Sequence, residues 1–322
     1  MNNLSRLIFL CVLSASRLSG ESFEMHLWEG GAPGSERSTL EETIRIDHTK
    51  VGDDRIVSRW VENVSDPTIT VWLPEEENRT GVAVLICPGG GFVGQELDME
   101  GTEIAELLNE HGVAGIVLKY RLPDPSSGIY VYNGSILDAQ RAIRIIRHHA
   151  EKWEIDRDKI GVAGFSAGGY LAAATGTMFD YGNPESSDPV ERLSSRPSFI
   201  SPVYPLISLK VLNDRQMGVI QSVLGPDATE VQIDAYSLDE QVTAETPPTF
   251  LIHAHDDHLS SENSVRFYAA LKQFGVPVEL HVFARGGHGF GIRSDRPGII
   301  ARKWPELWLD WMQDSGFLLA EN

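Results

Sequence analysis

The sequence predicts an α/β domain in which a central, mostly parallel β-sheet carries helices on both faces. Two runs, VAVLIC at 82–87 and IGVAGF at 160–165, are apolar without alternation, as strands buried on both faces of a parallel sheet are. Between them, Ile136, Ala139, Ile143 and Ile146 recur at three- and four-residue steps, the stripe of an amphipathic helix. Strand-like and helix-like stretches then alternate to the end of the chain, the pattern of crossover units. Of the 322 residues 42% are hydrophobic, enough apolar surface for one large layered core.

Taken in order, residues 27–34 (LWEGGAPG) are broken by Gly and Pro and read as irregular. Residues 43–46 and 69–73 have the alternation of antiparallel strands at one edge of the sheet. The buried strand 82–87 follows, then a helix over 101–111 with Ile104, Leu107 and Leu108 on one side, then a strand at 113–118. The long helix occupies 135–153, with Asp138, Arg141, Arg144 and Arg147 away from its apolar stripe. Further strands are expected at 160–165, 198–204, 249–253 and 278–283. The polar, Gly/Pro/Ser-rich stretch 176–196 reads as a surface excursion near the site. At the C-terminus, Trp304, Leu307, Trp308 and Trp311 form a helical stripe that belongs to the core rather than to a sugar platform.

Three bulk properties bound the function. Residues 1–20 place Arg6 before the apolar run LIFLCVL and small polar residues after it. That is the layout of a secretory signal, too short to remain as a membrane span. The mature chain is therefore expected at 21–322 as a single domain, secreted or periplasmic. The 46 acidic against 27 basic residues give a net charge of -19, which repels polyanions and argues against nucleic acid as a partner. Of the two cysteines, Cys11 would leave with the signal. Cys87 then stands alone as a buried thiol, and stability rests on the core rather than on a disulfide.

The chemistry gathers at four places. Gly164-Phe165-Ser166-Ala167-Gly168 closes the strand IGVAGF and opens an Ala-rich helix. A serine there sits on a strained strand-to-helix turn that projects Oγ, with a helix N-terminus behind it. Ser166 is the candidate nucleophile. It needs a base, and the base needs a carboxylate to orient it. His288 lies between glycines in GGHGF, on a loop leaving the strand 278–283. By contrast, His148 and His149 fall within a helix, His281 within a strand, and His253 at a strand end where it can orient the neighbouring loop. The carboxylate comes from His253-Ala254-His255-Asp256-Asp257. Asp256 is preferred, with Asp257 expected to bond backbone in its own turn, although the adjacent pair leaves the alternative open. Finally, Pro88-Gly89-Gly90-Gly91 follows the strand 82–87. Gly90, Gly91 and Ala167 are the expected backbone donors to a developing oxyanion. No Lys-Ser/Thr end of a phosphate loop is present in that glycine segment. The dense His/Asp run at 253–258 cannot turn all its side chains to one ion, so neither metal nor cofactor is expected.

With these residues in place, the sequence resembles the α/β-hydrolase superfamily of serine esterases. More narrowly it is similar to the BD-FAE-like and acetylxylan-esterase-like group, near the catalytic domains of prolyl-oligopeptidase-type peptidases. The motifs that carry the likeness are LWEGGAPG, CPGGGF, DAQRAIR, GFSAGG, HAHDD with ENS beyond it, and GGHGFG. The chain order Ser, Asp, His is also that of the α/β-hydrolase fold. The resemblance implies hydrolysis of acyl esters, often those on plant or algal polysaccharides, with Ser166, Asp256 and His288 as triad. One departure is Pro88, where lipase-like relatives carry histidine.

The expected reaction is ester hydrolysis through an acyl-enzyme, removing acetyl groups from an acylated carbohydrate or a small ester. No stable membrane insertion is expected once the signal is removed. A feruloyl esterase is the aromatic alternative, needing a slot between side chains such as Phe92 and Tyr204. A prolyl-oligopeptidase-type exopeptidase is a second alternative, although about sixty residues before the first core strand are too few for a propeller. A non-catalytic binding module has no need of all four parts together.

Overall fold

The computed structural model describes residues 22–51, 54–212, 216–292 and 300–318. The proposed signal, residues 1–20, lies outside them. Eleven strands follow in chain order: β1 (Ser22–His26), β2 (Thr43–Val51), β3 (Asp54–Glu62), β4 (Thr68–Trp72), β5 (Ala83–Cys87), β6 (Gln95–Glu96), β7 (Ala114–Lys119), β8 (Ile160–Phe165), β9 (Phe199–Val203), β10 (Thr249–Ala254) and β11 (Val278–Phe283). The helices are α1 (Glu103–Glu110), α2 (Ser135–His149), α3 (Ala167–Thr177), α4 (Gly218–Leu224), α5 (Glu230–Ala235), α6 (Glu262–Gln273) and α7 (Trp304–Asp314).

Eight strands form one sheet in the order β1-β4-β7-β5-β8-β9-β10-β11. From β7 to β11 every pairing is parallel, while β4 is antiparallel to both of its neighbours. The apolar runs decide this arrangement. Every residue of β5, β8, β9 and β10 is buried, so each strand needs cover on both faces. On one side α2, α3 and α6 supply it. On the other, Trp304 and Trp308 of α7 are completely buried beside Phe199 and Phe250, so the tryptophan stripe is core as expected. No helix among the described residues is long and apolar enough to cross a membrane.

Two expectations need correction. The strand at 43–46 is not part of the main sheet: β2 pairs with β3, and β3 with β6, in a separate three-stranded sheet. Ile44 and Ile46 stand out to solvent there, and the alternation in sequence could not say which sheet the strand joins. Nor does the stretch 176–196 lie by the site. It covers the polar face of α2, where Arg141 meets Asp188 and Glu191, Arg144 meets Asp180, and Arg147 donates to the Ser194 and Arg196 carbonyls. Arg141 and Arg144, off the apolar stripe, are nevertheless buried where this segment returns over them.

The parallel strands share one direction, so their carboxyl ends share one rim. The glycine loop leaves β5, Ser166 leaves β8, Tyr204 leaves β9, the Asp256-Asp257 pair leaves β10, and the His288 loop leaves β11. From β5 the chain goes outward to β7 on one side and then to β8 on the other. The crevice between β5 and β8 is therefore the switch point at which such sheets carry their sites.

Candidate active site

Ser166 stands between β8 and α3 with φ 55° and ψ -113°, a conformation costly for any residue with a side chain. Tertiary bonds hold it there: its N–H donates to the Val203 carbonyl, and its own carbonyl accepts from Leu206 N–H. The flanking glycines are required by close approach. A Cβ on Gly164 would run into the Gly168 carbonyl, and one on Gly168 into that of Cys87. The turn thus packs against the end of β5, and the serine lies beside the glycine loop.

Ser166 Oγ is 2.7 Å from His288 Nε2. His288 Nδ1 is in turn 2.8 Å from Oδ2 and 2.9 Å from Oδ1 of Asp257. The carboxylate partner is Asp257 and not Asp256. Asp256 Oδ1 accepts instead from the N–H groups of Gly286 and Gly287, each at 2.8 Å, and so anchors the loop that presents the histidine. The reason is direction: β10 ends at Ala254, and the turn after it aims the second carboxylate inward and the first at the backbone of 286–287. The two environments differ accordingly. The Asp257 side chain is wholly buried, which pushes its carboxyl up. Hydrogen bonds from His253, His288 and Leu259 N–H outweigh that and leave it below its ordinary value. Exposed Asp256 is lowered chiefly by the Gly287 N–H.

His253 does orient this loop. Its Nδ1 meets Ser264 Oγ at 2.9 Å and its Nε2 the Leu259 carbonyl at 2.9 Å. Asp257, His258 and His288 are close enough together to hold an ion. Two of the three, however, are already the hydrogen-bonded pair facing Ser166, so an ion there would compete with that pair. Burial pushes the Cys87 thiol far up, so it carries no nucleophilic thiolate.

This arrangement has counterparts in known proteins. The BD-FAE family model matches residues 69–271, a span that takes in the glycine loop, Ser166 and Asp257. The chain belongs to the BD-FAE family. It is 32% identical over 238 residues to an acetylxylan esterase of Xylanibacter ruminicola, covering 71% of this chain and 45% of that protein. It is 31% identical over 216 residues to endo-1,4-beta-xylanase B of Butyrivibrio fibrisolvens, covering 66% of this chain and 33% of that one. The chain thus spans less than half the length of these curated relatives. Among solved structures, the acetyl ester-xyloside bifunctional hydrolase from Caldicellulosiruptor lactoaceticus aligns with a TM-score of 0.74 at 33% identity, covering 94% of this chain and 99% of that one. The fold is the α/β-hydrolase fold and the family one of carboxylic ester hydrolases.

In this BD-FAE member a cavity of about 140 Å³ opens beside Ser166. Gly91, Ala167 and His288 line it with the serine, and its apolar walls are Phe92, Leu206, Leu212, Val219 and Leu259. Gly91 and Ala167, two of the three expected oxyanion donors, are at the cavity. Gly90 is not among its lining residues. It turns the loop at φ 139°, its carbonyl accepting from Val93 and Gly94 N–H. The wall of Leu206, Leu212 and Val219 is not legible in the sequence, because neither composition nor spacing connects it to a serine at least forty residues earlier. Buried Asn263 sets its position, Oδ1 accepting from the N–H groups of Ile207 and Ser208 at 2.9 and 3.0 Å. Tyr120 and Tyr204 are fully buried and present no ring face to a sugar. Trp28 donates Nε1–H to Asp138.

Proposed function

We propose that this chain is a carboxylic ester hydrolase that works through an acyl-enzyme on Ser166 and removes short acyl groups, acetyl above all, from esters of carbohydrates. The observation that carries the proposal is the unbroken chain Ser166–His288–Asp257, with both of its links at 2.9 Å or less, opening on a small cavity. His288 Nε2 takes the proton as Oγ attacks the ester carbonyl, while Asp257 holds Nδ1–H and supports the imidazolium. Backbone N–H groups of Gly91 and Ala167 receive the developing oxyanion, preorganised by the glycine turn and the start of α3. The protonated His288 then gives its proton to the departing alcohol. Water repeats the sequence on the acyl-enzyme and releases the acid.

The size and lining of the cavity support the short acyl group. Each further buried methylene gains about 0.8 kcal/mol only where apolar space receives it, and about 140 Å³ bounded by Phe92, Leu206 and Leu259 offers little. The names of two relatives, an acetylxylan esterase and an acetyl ester-xyloside hydrolase, point the same way. A feruloyl group would need a flat slot beside Tyr204, yet that ring is buried, packed edge-on against His288.

Catalytic efficiency measured on acetyl, butyryl, octanoyl and feruloyl esters of one alcohol is expected to be highest for acetyl. A rise to octanoyl or a feruloyl optimum would reject the short-acyl reading. Ser166→Ala should lower kcat by about a million-fold, and activity surviving in the folded variant would reject the serine mechanism.

A further inference from the structure

Glu100 is a carboxylate that the mechanism above does not use. It lies in a single π-helical turn, Asp98–Thr102, ahead of α1, an irregularity frequent at functional sites. Its side chain is buried, and both oxygens are taken by donors. Oε2 accepts from Gly89 N–H at 2.7 Å, and Oε1 accepts from the Tyr204 hydroxyl at 2.8 Å.

Each partner leads to the site. Gly89 begins the glycine loop and packs so closely on Ser166 that a Cβ there would lie 3.0 Å from the serine Cβ. The Tyr204 hydroxyl accepts from Gly291 N–H at 3.2 Å, in the loop that carries His288. The Tyr204 ring meets the imidazole of His288 edge-on at 5.2 Å and Phe290 at 4.5 Å. One carboxylate therefore ties the loop facing the nucleophile to the loop bearing the base.

We propose that Glu100, acting through Tyr204, is a positioning residue of this hydrolytic site, and that its negative charge helps to hold the imidazolium of His288. The proposal rests on the serine-hydrolase reading above. The geometry calls for the anion. Gly89 N–H can only donate, and the Tyr204 hydroxyl donates to the other oxygen while accepting from Gly291, so both carboxylate oxygens serve as acceptors. Burial leaves the Glu100 carboxyl above its ordinary value, against the opposing pull of Tyr204, Gly89 N–H and the charge of His288. Burial also holds the Tyr204 hydroxyl well above its ordinary value, so it stays a donor. Glu96 and the Tyr120 hydroxyl also interact electrostatically with Glu100. His288 is faced by Asp257, His258 and the Tyr204 ring.

The test compares Glu100→Gln, Glu100→Asp, Tyr204→Phe and Ser166→Ala on an acetyl ester, with melting curves to establish folding. Glu100→Gln should lower kcat by roughly ten- to a hundredfold, as for loss of a charge-assisted bond, and leave KM within about twofold. Losing the anion also makes the imidazolium less favourable. The acid limb of kcat/KM should therefore move to lower pH by roughly half a unit or more. Glu100→Asp keeps the charge but falls short of its partners, so kcat drops while the acid limb stays near that of the wild type. Folded Glu100→Gln with wild-type kcat and an unshifted limb would overturn the proposal. Should that variant not fold, the same wild-type behaviour in Tyr204→Phe would overturn it. An active Ser166→Ala would instead remove the underlying mechanism, whereas a dead Ser166→Ala beside an unaffected Glu100→Gln removes only the present proposal.

Discussion

Asp138 and Asp257 both have side chains fully withdrawn from water, and each faces a basic partner, yet one joins a strut and the other the proposed catalytic array. Asp138 lies on α2 against Arg121. Its oxygens take the guanidinium Nε and NH2, the Arg121 backbone N–H and the Trp28 indole. The remaining guanidinium nitrogen donates to the Pro33 carbonyl. Every donor ends on an acceptor inside the protein. Asp257 instead faces an imidazole, which can exist neutral, and the line continues to a hydroxyl on a cavity wall. A guanidinium never gives up its proton; an imidazole does so near neutral pH. Titratable identity and an open end, rather than burial, suit the second cluster to the proposed chemistry.

The largest expected effect tests the relay. Asp257→Asn should lower kcat by about ten-thousandfold in a folded enzyme, because the amide favours the wrong imidazole tautomer. Asp256→Asn retains an oxygen for Gly286 and Gly287 and should cost less than roughly tenfold. Steady-state kinetics on both variants decide the assignment, and reversed effects would return Asp256 to the triad.

The strut should fail in a different observable. Asp138→Asn leaves Arg121 buried without a counter-charge and should lower unfolding free energy by about 3–5 kcal/mol. At temperatures where the variant stays folded, kcat should remain within a few-fold of wild type, measured alongside chemical denaturation. A large kcat loss in folded Asp138→Asn would break the contrast between the two clusters.

A smaller effect sharpens the contrast through pH. The folded state holds the Asp257 carboxyl below its ordinary value. Its contribution to stability is therefore complete above the unfolded carboxylate range of about 4 and lost as pH falls through the folded value. The melting difference between wild type and Asp257→Asn should accordingly be largest near neutrality and shrink as pH drops toward 3. A difference that grew on acidification would contradict the environment assigned to Asp257.

Much of this could be read from the one-dimensional pattern, because the determinants are local. Unbroken apolar runs at 83–87 and 160–165 need cover on both faces, and a serine between glycines where such a run meets an Ala-rich helix has few other places to go. His288 is equally legible, since its flanking glycines mark a loop leaving a strand, whereas His148, His149 and His281 fall inside regular elements and His253 at a strand end. What the chain by itself left undecided depends on direction and on distant neighbours. Asp256 and Asp257 differ by one residue, and only the turn after β10, fixed by His253, Leu259 and Ser264, decides which carboxylate points inward. The wall at Leu206, Leu212 and Val219 meets Ser166 only because β9 lies beside β8. Arg141 and Arg144 of α2 are buried where 176–196 folds back over them. Periodicity is a property of neighbours along the chain, whereas the choice between adjacent carboxylates and the enclosure of a cavity arise between segments far apart in sequence, where side-chain direction and packing decide.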